Sequence, residues 1–162
     1  MQKKVFTIVV LALAFFAVIY LRNQSRGLEI NPPSAVPPSP TISIGKHVFS
    51  IEFAQTSDTR QLGLGNRKSI ADNAGMLFVF PQSDRHSIWM KDMLFPLDII
   101  WLTPSKTREG ALTVVDIRTG VLPETYPEAF LPKGDALYVL ELSAGSAERA
   151  GIGLGSVLTL RK

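Results

Sequence analysis

Asp98 poses the sharpest chemical question in this chain. It sits within Leu97-Asp98-Ile99-Ile100-Trp101-Leu102, and an ionised carboxylate buried in such a strand costs several kcal/mol unless charges or donors answer it. A partner is required. Lys91, Arg67 and Arg60 are cations that can supply one, and the backbone amides of the Lys91 to Phe95 turn are alternative donors. Two roles follow: a structural tie between that turn and the core, or a functional acid or ligand contact. Glu141 could join Asp98 in a two-carboxylate hydrolytic site of the glycosidase type. Its alternation with Tyr138, Leu140 and Leu142, however, reads more simply as a solvated strand face.

Around the same turn lie Trp89, Phe95 and Trp101, with Lys91 and Asp92 beside them. Aromatic faces plus a few polar groups can line a shallow pocket for sugars or peptide chains; core packing is the competing role, above all for Trp101 inside the apolar strand. Asp98, Lys91, Trp89, Asp92 and Arg67 are therefore the candidate ligand-binding residues. Phe95-Pro96 is a possible cis peptide. Met76, Met90 and Met93 share one stretch with His86, and thioether sulfur favours copper(I). On a straight strand His86 and Met90 stand ~13 Å apart at ~3.3 Å per residue, so core filling is the better reading for the methionines, and no metal or cofactor is expected. Asp84, Arg85 and His86 read as a solvent-facing charged loop.

Other chemistries are closed off by what is missing. The 162 residues contain no cysteine and two histidines, His47 and His86, which excludes disulfides, thiol nucleophiles and cysteine-built metal sites. No Gly-x-Ser-x-Gly elbow, phosphate-cradling glycine loop or metal-spaced histidine pair occurs. The formal net charge is +3, yet residues 1–40 hold four basic groups against Glu29, while residues 41–162 hold thirteen of each sign. A neutral domain is poor material for nucleic-acid binding.

These residues need a scaffold and a place. Residues 1–4 are a short basic N-terminus. Residues 5–21 run from Val5 to Leu21 with only Thr7 and Tyr20 polar, flanked by Lys3, Lys4, Arg22 and Arg26; at ~1.5 Å per residue they span roughly 25 Å and read as a retained transmembrane anchor. A cleaved signal peptide is the alternative, although no small-x-small site follows. The slight excess of positive charge before the span favours an inner-membrane protein with its domain on the periplasmic or extracellular side. Residues 22–40 form a Pro-rich linker, with five prolines between Asn31 and Pro40, extended and able to hold the domain near the bilayer.

Residues 41–162 form the globular domain. Phe49, Ile51 and Phe53 alternate with Ser50 and Glu52, the period of a half-buried strand. Thr56 or Ser57 caps a short helix ending at Gly63. Further strands are predicted at 76–80, 87–90, 97–102, 111–117, 138–142 and 156–160, with a second helix capped by Ser146 and closed by Gly151. The fold class is α+β, mostly β: a compact, largely antiparallel barrel-like or rolled sheet with two short helices, preceded by one N-terminal transmembrane helix.

Three stretches carry a family resemblance. They are Arg60-x-x-Gly63-Leu64 with Gly75-Met76-Leu77-Phe78-Val79-Phe80; Trp89-Met90-Lys91-Asp92 with Pro96-Leu97-Asp98-Ile99-Ile100; and Glu141-Leu142 with Ala144-Gly145, Gly151-Ile152 and Gly155. In this order they resemble domain-of-unknown-function family 192, small prokaryotic domains that are often membrane-anchored or secreted. The resemblance spans about residues 45–161 and implies a small β-rich α+β fold, with no established activity to transfer. The family usually has methionine where this chain has Gly65, asparagine where it has Asp92, and often aspartate where it has Ser156. Gly63-Leu64-Gly65 also echoes peptide-binding PDZ domains, but the spacing to Ala150-Gly151-Ile152 is too long for that fold.

The sequence thus favours non-covalent binding of an envelope protein or polymer. A small hydrolase of envelope carbohydrate or peptide using Asp98 and Glu141 is the second reading, and an architectural accessory subunit of a membrane complex is the third.

Overall fold

The computed structural model describes residues 39–161. The anchor expected at 5–21 and nearly all of the linker expected at 22–40 lie outside them; among the described residues no helix is long and apolar enough to cross a membrane.

Nine strands form: β1 (Thr41–Ile44), β2 (His47–Ala54), β3 (Ala74–Asp84), β4 (Ile88–Trp89), β5 (Leu97–Pro104), β6 (Ala111–Val121), β7 (Ala129–Phe130), β8 (Ala136–Ser143) and β9 (Val157–Arg161). Among the described residues two α-helices accompany them, α1 (Ser57–Leu62) and α2 (Ser146–Ala150), with a short 3-10 turn at Pro123–Thr125. Seven strands close a barrel in the order β1-β2-β3-β8-β5-β6-β9, with β9 returning to β1, while β4 and β7 form a separate ribbon. Closure leaves the barrel without unpaired edges. The pairing is antiparallel except between β2 and β3. A parallel pair needs a crossover, and α1 with the loop behind it supplies one.

Side chains alternate across each strand, and this alternation sorts the apolar residues into two cores. The first fills the barrel, with every barrel strand contributing: Ile42, Phe49, Ile51, Leu77, Ile100, Leu102, Leu112, Val114, Leu140, Leu142 and Leu158. Ala147 of α2 and Ile152 belong to the same core. The second core lies outside the barrel wall, where Met76, Phe78, Ile99, Trp101 and Val139 meet Leu64, Ile88, Met90 and Met93. Strands β3, β5 and β8 are therefore covered on both faces.

The two helices begin differently. Thr56 caps α1: its hydroxyl accepts the Thr59 amide at 3.1 Å, and the Thr59 hydroxyl accepts the Thr56 amide at 2.9 Å, a reciprocal cap worth about 1 kcal/mol. For α2 the expected Ser146 cap is replaced by Gly145, and Ser146 lies in the first turn without capping it. The Ala147 amide is instead answered from β5 by Asp98 Oδ2 at 2.8 Å. The cis peptide considered at Phe95-Pro96 falls at Tyr126-Pro127.

Candidate functional site

Asp98 is fully buried, and both of its oxygens are answered by the main chain: Oδ1 accepts the Gly120 amide at 2.9 Å and Oδ2 the Ala147 amide at 2.8 Å. By alternation it shares the inward face of β5 with Ile100 and Leu102. The donors are neither Lys91, Arg67 and Arg60 nor the amides of residues 91–95. They come from positions 22 and 49 residues further along the chain, so Asp98 fastens the end of β6 and the start of α2 to the barrel.

Glu141 corrects the sequence reading more sharply. It is 4 % exposed, not on a solvated face. Its strand register pairs it with Met76 on β3 and Ile99 on β5, which places it on the outer wall with the second core. There its Oε2 is buried without a hydrogen-bond partner among the described residues. Burial raises its pKa to about 8, so the side chain is a protonated acid at neutral pH. Because Asp98 pairs with Leu142 while Glu141 pairs with Ile99, the two carboxyl groups occupy opposite faces of the sheet. They do not form the two-carboxylate site that a hydrolase using Asp98 and Glu141 requires.

Glu141 lies in the wall of a cavity of about 440 Å³. Leu62, Leu64, Phe78, Phe80, Ile88 and Met93 supply its apolar surface; Arg60, Lys91 and Trp89 line it too. Each element places one part. The reciprocal cap fixes α1, whose last turn carries Arg60. Arg60 Nη1 donates to the Val79 carbonyl at 3.0 Å and to the Gln55 carbonyl, and its guanidinium lies 5.3 Å from the Phe80 ring centre. Gly63 ends α1 with φ 52°, and a Cβ there would stand 3.1 Å from Phe78 Cζ and 3.9 Å from Glu141 Oε2. Trp89 is 50 % exposed on β4, with Tyr126 edge-on to it at 6.3 Å.

Of the residues singled out in the sequence, Trp89 and Lys91 line this cavity. Asp98 stands apart from it inside the barrel. Arg67 lies on the surface in a two-pronged ion pair with Glu52, at 2.6 and 2.8 Å, and its hydrogen bonds hold the Glu52 carboxyl below the ordinary range. Asp92 takes φ 57°, a left-handed conformation that asparagine also tolerates, and its carbonyl accepts the Asn66 amide at 2.7 Å. It shapes the turn. Trp101 is completely buried, its indole N–H donating to the His86 carbonyl at 2.8 Å. Met76, Met90 and Met93 are buried in the second core, and His86 stacks on Phe80 at 3.6 Å.

Arg60, Glu141 and the Phe78–Phe80 pair were missed as neighbours in a pocket. The available signal was the position of Glu141 two residues after Val139 in a strand rich in apolar residues on both faces.

Residues 40–160 match a family described as uncharacterized ACR. The chain belongs to it: domain-of-unknown-function family 192. The solved structures that resemble the domain include the following two. One, from Sinorhizobium meliloti, is described as a proposed transcription regulator; it is 27 % identical, with a TM-score of 0.65, over 75 % of this chain and 91 % of that one. The other, a protein of unknown function from Novosphingobium aromaticivorans, is 31 % identical, with a TM-score of 0.64, over 74 % of this chain and 81 % of its own. No curated protein matches.

Proposed function

We propose that this family 192 domain acts by non-covalent binding, holding a protruding group of an envelope protein or polymer in the cavity beneath Trp89. The observation behind this reading is Glu141 Oε2, a buried polar atom without a partner in the wall of a cavity of about 440 Å³. A buried polar atom left unpaired costs about 1–3 kcal/mol, and a ligand group that reaches it recovers part of that. The half-exposed Trp89 and the exposed Leu62 beside it offer apolar area of the kind that anchors a bound chain. The balanced charge of residues 41–162 gives no support to binding a nucleic acid, despite the regulator among the similar structures.

In this reading, residues 5–21 anchor the chain in the inner membrane and the domain works on its outer side, close to the bilayer. The test is cross-linked capture from solubilised membranes, using the full-length chain beside Trp89→Ala and Ser87→Trp, the latter placing bulk at the mouth of the cavity. A partner captured by the native chain and lost with both variants supports the reading. Equal capture by all three contradicts it.

A further inference from the structure

We infer that the group taken by this cavity is a carboxylate on an apolar body, its oxygens turned to Arg60, Lys91 and the Glu141 carboxyl and its body laid against Trp89 and Leu62. This deepens the binding reading and rests on it. Arg60 and Lys91 are both cations, and Glu141 is the one acid among the lining residues. Neither cation has an acidic partner among the described residues, where the ion pairs are Arg67–Glu52 and Arg118–Asp116.

Arg60 is also held in place. With Nη1 bound to two main-chain carbonyls and its plane near Phe80, its Nε and Nη2 groups have no protein partner among the described residues. A guanidinium fixed in this way loses little freedom on meeting a carboxylate. Glu141 strengthens the preference. Its register partners Met76 and Ile99 do not titrate, Arg60 and Lys91 are the other charged groups lining the cavity, and burial raises its acid to about 8. Below that pH it offers an O–H donor instead of a second negative charge. An ammonium ligand would approach two cations, and a neutral amide would leave both unanswered.

The experiment titrates the full-length chain with three probes of one shape, phenylacetate, phenylacetamide and phenethylamine, following tryptophan emission, to which Trp89 and Trp101 both contribute, and binding heat. Phenylacetate is expected to bind about tenfold or more tightly than the amide, a difference of about 1.4 kcal/mol, with the amine weakest. Its affinity should fall as pH rises through about 8, where Glu141 loses its proton. That fall should disappear in Glu141→Gln, and Lys91→Gln should weaken binding several-fold. If the amide or amine binds as tightly as the acid, the carboxylate inference is overturned while the cavity remains a binding site. If none of the three changes either signal, the cavity reading fails as well. A peptide ending in phenylalanine, as free acid and as C-terminal amide, identifies the source: preference for the peptide acid over phenylacetate points to a protein chain end, the reverse to a small organic acid.

Discussion

Asp98 and Glu141 sit one register step apart on adjacent strands, yet their carboxyl groups face opposite sides of the barrel wall. The first receives two main-chain amides; Oε2 of the second receives no hydrogen bond. The same residue chemistry therefore serves two ends. Inside the barrel a carboxylate joins segments distant in sequence, and outside it a carboxyl faces a cavity with an unanswered oxygen.

Removing the inner carboxylate should destabilise the domain. Asp98→Ala leaves the Gly120 and Ala147 amides unanswered and is expected to cost about 3 kcal/mol or more, with Asp98→Asn costing less because its carbonyl still accepts one of them. Thermal melts check this: the alanine variant should melt roughly 10 °C lower, while phenylacetate binding in its folded fraction persists.

The outer carboxyl makes stability depend on pH in the less common direction. Its pKa rises from 4.5 to about 8 on folding, so between those values the unfolded chain has lost a proton that the folded chain keeps. The contribution is fully present below about 4.5 and lost as pH rises through about 8. Denaturant unfolding at pH 5 and pH 8 should show the native chain losing on the order of 4 kcal/mol relative to Glu141→Gln. Parallel curves for the two proteins would contradict this.

Much of the fold was legible because periodicity is a local property. The alternation around Phe49, Ile51 and Phe53 and the apolar run at Leu97–Leu102 lie in strands as expected, and the barrel closes with two short helices. The parallel β2–β3 pair was not legible, since the direction of pairing depends on where α1 returns the chain. Asp98 was recognisable as a carboxylate needing donors, but those donors lie far along the chain and meet it only when the barrel closes. Glu141 was misread for a related reason. Alternation reports how many faces of a strand are buried only if its surroundings are known, and the outer face of β8 is covered by residues from the segments around α1 and β4.

Close packing makes one glycine irreplaceable. Gly75 pairs with Leu142, and a Cβ on it would lie 2.5 Å from Leu142 Cδ2 and 2.7 Å from the Glu141 carbonyl oxygen. The Glu141 carbonyl cannot retreat without disturbing β8, and Leu142 Cδ2 can move only into the packed core of the barrel. Gly75→Ala is expected to cost about 2–4 kcal/mol, read as a lowered denaturant midpoint with an unaltered slope.

The Arg67–Glu52 pair should matter little. Its side chains are 36 % and 58 % exposed, and exposed ion pairs contribute about 0–1 kcal/mol. Glu52→Gln and Arg67→Ala are each expected to lower stability by less than about 1 kcal/mol, and phenylacetate affinity should stay the same, because neither residue lines the cavity. A several-fold loss of affinity in Arg67→Ala would extend the site to the segment between α1 and β3.

Glu141 is a buried acid whose Oε2 has no hydrogen-bond partner among the described residues, and the carbon-13 resonance of its carboxyl reports on it directly. Followed from pH 3 to pH 10, that resonance should titrate with a midpoint near 8 and move when phenylacetate is added. A midpoint near 4.5, the ordinary value, with no response to phenylacetate, would mean that the carboxyl is solvated or paired and that the cavity is not a binding site.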